Sequence, residues 1–165
     1  QRQEIILKDG DNEIEVAVDA GQILGGGNVR PLQEVEFELK AGDADCLMQQ
    51  ASKLAEQVPV FLNLVSKAEQ GYYLAGIYQP EPKTPEEPLS VTAFLHLLGV
   101  SWLTGKSIQL PESAVVNITS AAEKAAMGEC WQELRNQLRK GVSTAVLIEL
   151  LPGLGRLQLA LAGQS

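Results

Sequence analysis

Three glutamates, Glu34, Glu36 and Glu38, recur at every second residue of one apolar stretch. In an extended strand such residues share a face, roughly 7 Å apart along it. Carboxylates that close repel one another, and each resists ionisation unless water or a cation lies among them. Hard divalent ions such as Mg²⁺ and Mn²⁺ are well matched to carboxylate oxygens. A second acidic series, Glu13, Glu15 and Asp19, repeats the pattern upstream, again on one face. Two acidic faces meeting inside a barrel would form a chamber for metal and phosphate. From spacing alone the alternative is a solvated outer face, with Val35, Phe37 and Leu39 packing inward, and sheets with one wet face are the commoner case. Three acids in succession, with no intervening Lys or Thr, raise the weight of the metal reading without deciding it.

The elements that must position these residues follow from pattern. Residues 4–8 read as a short strand, and Asp9-Gly10-Asp11-Asn12 as a hairpin turn. Residues 13–19 alternate acid with apolar side chains, the period of a strand with two unlike faces. Ala20-Gly21 is predicted to turn the chain, Gln22-Ile23-Leu24 to form another short strand, and residues 25–28 to loop out. The strongest alternation runs from Pro31 to Lys40. Asp43 or Asp45 can cap a helix reaching Gln57. Val60 to Val65 is a short apolar segment, and Ser66-Lys67-Ala68-Glu69 has the form of a capping box opening a brief helix. Tyr78 to Pro88 holds four prolines among acids and reads as a linker. Beyond it, Val91 to Leu103 is apolar at helical spacing and residues 105–117 read as loop. Ile118 opens a predicted long helix to about Lys140, and Ser143 to Ala162 gives another helical stretch around Pro152-Gly153. Strands followed by helices point to α+β or to two units.

The 165 residues, 45% of them hydrophobic, suffice for one ordinary domain or two small ones. The net charge of −8 is concentrated early, with 13 acids against 6 bases in residues 1–80. That argues against nucleic acid as a partner but not against phosphates, because a bound metal reverses the local sign. Cys46 and Cys130 show no paired spacing, so a reducing cytoplasm is the expected setting. No signal segment opens the chain, and no apolar run approaches the roughly 18 residues of a membrane span. His96, the only histidine, sits in an apolar helix, where packing or surface roles outnumber catalytic ones. Trp102 and Trp131 read as core or docking aromatics.

Three stretches occur in the order seen in CYTH proteins: Ile14-Glu15-Val16-Ala17-Val18-Asp19-Ala20-Gly21, then Glu34-Val35-Glu36-Phe37-Glu38-Leu39-Lys40-Ala41-Gly42-Asp43, then Ser66-Lys67-Ala68-Glu69-Gln70-Gly71-Tyr72. The chain thus resembles the bacterial inorganic triphosphatase type, in which a CYTH domain precedes a helical CHAD domain. The resemblance covers about residues 3–76. It implies a triphosphate tunnel, a closed antiparallel barrel of eight strands, with acids binding Mg²⁺ or Mn²⁺ and Lys and Arg gripping the triphosphate. Carried over by match, Glu34 and Glu36 would be metal ligands and the catalytic pair. Glu38 would lie on the same metal-binding face, Asp19 near the metals, Glu15 lining the tunnel, and Lys67 facing phosphate or bracing the barrel. The opening E-x-E-x-K strand and several basic strands of that family have no counterpart here, and Gln70 stands where the family usually has Arg.

The resemblance therefore implies an α+β chain holding the second half of a CYTH-like barrel over residues 1–77. A linker over 78–89 and a helical segment over 90–165 would follow, CHAD-like from about residue 119. The missing first half of the barrel and the rest of CHAD would lie elsewhere in a parent chain, and these residues alone would not hydrolyse triphosphate. Arg156 with Leu157, Leu159 and Leu161 resembles the arginine-and-leucine helix of CHAD, although the usual histidines are absent. Arg135, Arg139 and Lys140 make a modest basic cluster that would also suit a helix C-terminus. The implied substrate is inorganic triphosphate or polyphosphate. Alternatives are an organic triphosphate, as in thiamine triphosphatases and class IV adenylate cyclases, or a non-catalytic polyphosphate-binding or scaffolding module.

Overall fold

A computed structural model describes residues 1–164 as an α+β chain with one three-stranded antiparallel sheet and seven α-helices. Two compact units are present. The first comprises Gln1–Leu54 and Lys67–Gln79; the second comprises Ala55–Ser66 and the residues from Pro80 on.

The first unit is built on strands β1 (Arg2–Asp9), β2 (Asn12–Gly25) and β3 (Asn28–Ala41), in the order β1-β2-β3. Gly26 and Gly27 connect β2 to β3 with φ of 56° and 83°, the two positive angles that a type I′ hairpin turn requires. The expected turn at Ala20-Gly21 does not form. β2 runs straight through it, with Ala20 opposite Gln33 and Gly21 opposite Leu32. The continuous ladder to β3 outweighs a local turn preference, since neither residue is barred from an extended conformation. Pro31 is tolerated because β3 lies at the edge of the sheet.

One face of the sheet is apolar. Ile14 and Val16 form a small core with Cys46, and Phe37, Leu39 and Leu47 pack against it. Cys46 and Leu47 come from helix α1 (Ala44–Gln57), whose first turn is held by Asp43 Oδ1 accepting from the Asp45 amide at 3.0 Å. Helix α2 (Lys67–Leu74) packs on β2.

The second unit has its own core, including Phe94, Leu98, Ile118, Trp131, Leu134, Leu147, Leu157 and Leu161. Helix α3 (Val91–Thr104) starts at Ser90, whose Oγ accepts from the Ala93 amide, and stops at Gly105. The expected loop over 105–117 contains a 3-10 turn, Glu112–Val115. The long helix expected from Ile118 to Lys140 is two helices, α4 (Val116–Lys124) and α5 (Gly128–Arg139). The chain reverses through Ala126, at φ 56°. Tertiary packing forces the break: Trp131 stacks edge-on against Phe94 and donates to Thr119 Oγ1 at 2.9 Å, which brings α5 back against α4. Helices α6 (Thr144–Leu150) and α7 (Leu154–Ala162) meet at a 111° bend around Pro152. Gln158 of α7 is fully buried and clasps the extended segment before α2, accepting from the Leu62 amide and donating to the Leu62 carbonyl, both at 2.9 Å. His96 is partly buried on α3. Among the described residues no single helix is long and apolar enough to cross a membrane.

Candidate functional site

The register of the sheet assembles the acids. Asp19 lies opposite Glu34, Ala17 opposite Glu36, and Glu15 opposite Glu38. All therefore project from one face, the one away from α1. Ala17, the uncharged member of this row, is buried opposite Glu36. Carboxylate oxygens of Asp19, Glu34 and Glu36 all lie within 4.8 Å of one another.

Two basic side chains reach this trio from different elements. Arg2 on β1 is directly opposite Asp19 and grips it through Nε at 2.8 Å and Nη2 at 2.7 Å. The same Nη2 donates to Glu36 Oε2 at 2.5 Å. Lys67, the first residue of α2, places Nζ 3.2 Å from Asp19 Oδ2 and 3.1 Å from Glu36 Oε1, and in closer contact with Glu34 Oε1. The helix is pinned at its other end. A Cβ on Gly25 would fall 2.2 Å from the Gly71 carbonyl oxygen, and Asn28 Nδ2 donates to the Leu74 carbonyl at 2.8 Å.

The local electrostatics follow from these contacts. Hydrogen bonding to Arg2, aided by Lys67, holds the Asp19 carboxyl well below the usual carboxylate range. Glu36 is lowered chiefly by its hydrogen bond to Lys67. Glu34 moves the other way: desolvation raises it, and the bond to Lys67 only partly compensates. Arg2 is raised by its bond to Asp19, and Lys67 is raised first by its bond to Glu34. As pH falls, Glu34 is thus the member of the trio that takes a proton most readily.

Of the residues singled out by sequence, Asp19, Glu34, Glu36 and Lys67 come together. Glu15 and Glu38 form a separate pair one step along the sheet, where Lys40 bridges them at 3.4 and 3.0 Å. Arg2 was missed, although the signal was present. A two-residue turn at Gly10-Asp11 fixes the hairpin register, placing Lys8 opposite Glu13 and Arg2 opposite Asp19. Further along this face Arg30 stands over the Tyr73 ring of α2, 5.9 Å from its centroid.

Three hard oxygen donors this close suit one hard divalent ion, and the donor set fits Mg²⁺ or Mn²⁺ in chemical type. The presence of two cationic side chains beside them also gives the face a means of meeting an anion. The class so defined is an α+β protein that gathers carboxylates, a lysine and an arginine on one side of an antiparallel sheet. No family model matches the chain. Over 63 residues, 38% of its length, the chain is 38% identical to a Haemophilus influenzae protein named inorganic triphosphatase. The match covers 18% of that protein, so the chain spans less than a fifth of its relative's length.

Proposed function

We propose that this chain carries the acidic wall of a metal-dependent phosphoanhydride hydrolase acting on inorganic triphosphate. The observation that carries the reading is the convergence of Asp19, Glu34 and Glu36 within 4.8 Å, in a chain similar to a named inorganic triphosphatase. Asp19, Glu34 and Glu36 would hold Mg²⁺ or Mn²⁺, with Glu38 on the next step of the same face. The bound ion supplies Lewis-acid polarisation of phosphoryl oxygens and activation of water. A polyanion cannot approach three carboxylates without a cation between them, so Glu34 and Glu36 act by holding that cation. Arg2 and Lys67 offer hydrogen bonds and positive charge to phosphate oxygens. Glu15 lines the neighbouring step.

The activity is proposed for the protein in which this sequence occurs together with the rest of a tunnel-like barrel. The helical unit is proposed as CHAD-like and as the contributor of polyphosphate affinity. The free cysteines Cys46 and Cys130 suit a reducing compartment. A second reading is favoured by one observation: Arg2 and Lys67 already neutralise much of the trio. On that reading the face is an ion-pair brace that ties β1 and α2 to the sheet, in a non-catalytic binding module.

Phosphate release from inorganic triphosphate by the full protein is expected to require Mg²⁺ or Mn²⁺. Glu34→Gln and Glu36→Gln are each expected to lower it by about 100-fold or more, the scale of losses on disturbing a metal site. Metal-dependent turnover unchanged in both variants would refute the assignment. Polyphosphate binding without release would favour the binding module.

A further inference from the structure

Lys67 stands at the centre of the acid trio rather than beside it. Its Nζ touches all three carboxylates, whereas Arg2 touches only Asp19 and Glu36. The Lys67 Nζ takes the point where the three carboxylates meet, the place a divalent ion held by all three would need. We propose that the Lys67 ammonium is the resident cation of this site and that it and a divalent metal ion occupy the site in turn, each excluding the other. This inference rests on the metal-dependent reading above and adds how that site is gated.

Three features support an exchange carried by the side chain alone. The body of α2 is fixed by the close approach of Gly25 to Gly71, by Gly26 against Ala75, and by the Asn28 bond to Leu74. The side chain of Lys67 is 40% exposed, so its flexible stem has a way out to solvent. Charge also favours the exchange. The trio carries three negative charges against the two positive charges of Arg2 and Lys67, and replacing the ammonium by a divalent ion brings the cluster to neutrality. Arg2 need not move, because it approaches from β1 and leaves Glu34 untouched.

Lys67→Met keeps the length of the side chain and deletes its charge. Mn²⁺ binding to the full chain is measured by calorimetry at low ionic strength for the wild type, Lys67→Met and Lys67→Arg. Lys67→Met is expected to bind Mn²⁺ at least tenfold more tightly than wild type, and Lys67→Arg no more tightly. In parallel, the side-chain ammonium resonance of Lys67 in the wild type is followed during titration with diamagnetic Mg²⁺. It is expected to shift or broaden along the same saturation curve as binding, a readout that does not depend on any variant folding. Saturable Mn²⁺ binding with equal or weaker affinity in Lys67→Met overturns the exchange and leaves the metal reading standing. So does a Lys67 resonance unmoved at metal saturation. Absence of saturable binding in all three proteins overturns the metal reading together with the exchange.

Discussion

Replacing Gln158 by Leu tests the reasoning about the helical unit. The side chain is fully buried, and its amide satisfies both the N–H and the C=O of Leu62, each at 2.9 Å. Leucine has similar bulk but neither donor nor acceptor, so both backbone groups lose their partner. A buried group left unpaired costs about 1–3 kcal/mol, so two such losses come to about 2–6 kcal/mol. The better transfer of leucine into an apolar site returns about 1–2 kcal/mol. Setting low against low and high against high, a net destabilisation of about 1–4 kcal/mol is therefore expected. Both tryptophans, Trp102 and Trp131, belong to this unit, so urea unfolding followed by tryptophan fluorescence reports on it. Gln158→Glu is an informative companion. Its ionised carboxylate would face the Leu62 carbonyl, whereas the protonated acid restores a donor to it. The folded pKa of that glutamic acid is thus raised, so the stability it provides is present below its unfolded value, near 4.3, and is lost as pH rises through the folded value. If Gln158→Leu stays within about 0.5 kcal/mol of wild type, the ordinary range for surface changes, the clasp contributes nothing and the reasoning fails.

Gly155→Ala should destabilise the same unit by about 1–3 kcal/mol, because the new methyl would fall 2.3 Å from the Val60 carbonyl oxygen and force backbone apart; unchanged chemical denaturation would contradict that contact. In the sheet unit, Asp19 and Glu36 have depressed folded pKa values, so the stability they provide is present above their unfolded values, near pH 4, and is lost as pH falls through the folded ones. The raised Glu34 acts oppositely, helping below its unfolded value and fading as pH rises through its folded one. Protection factors of β2 amides, with the intrinsic pH dependence of exchange divided out, should therefore fall on acidification below about pH 4, and Asp19→Asn should flatten that dependence. An acid limb as steep in Asp19→Asn as in wild type would show that Arg2 and Lys67 do not set it.

Much of this was legible in local pattern. Alternation marked β2 and β3 because the sheet has one charged face and one apolar face, and the Ser66–Glu69 box marked the start of α2. What failed was decided at a distance. Ala20-Gly21 looks like a turn until β3 pairs with it, and residues 118–140 look like one helix until Trp131 must reach Phe94. The site divided the same way. Asp19, Glu34, Glu36 and Lys67, named through the order of their motifs, lie together, whereas Glu38 shares their face but pairs with Lys40, because parity gives a face and not a distance. Arg2 required the hairpin register to be counted across β1, and Gln158 belongs to a contact spanning 96 residues that no local pattern encodes.

The sheet also has two outer strands, and β1 is exposed along its whole length, with Ile5, Ile6 and Leu7 open to solvent. An unpaired edge of that kind is a template for another strand, and in the proposed barrel that strand would come from the rest of the protein. Charge on the strand does not oppose such pairing, because β1 carries Arg2 and Lys8 against Glu4 and Asp9. Without a strand to cover it, the edge would invite a second copy in its place.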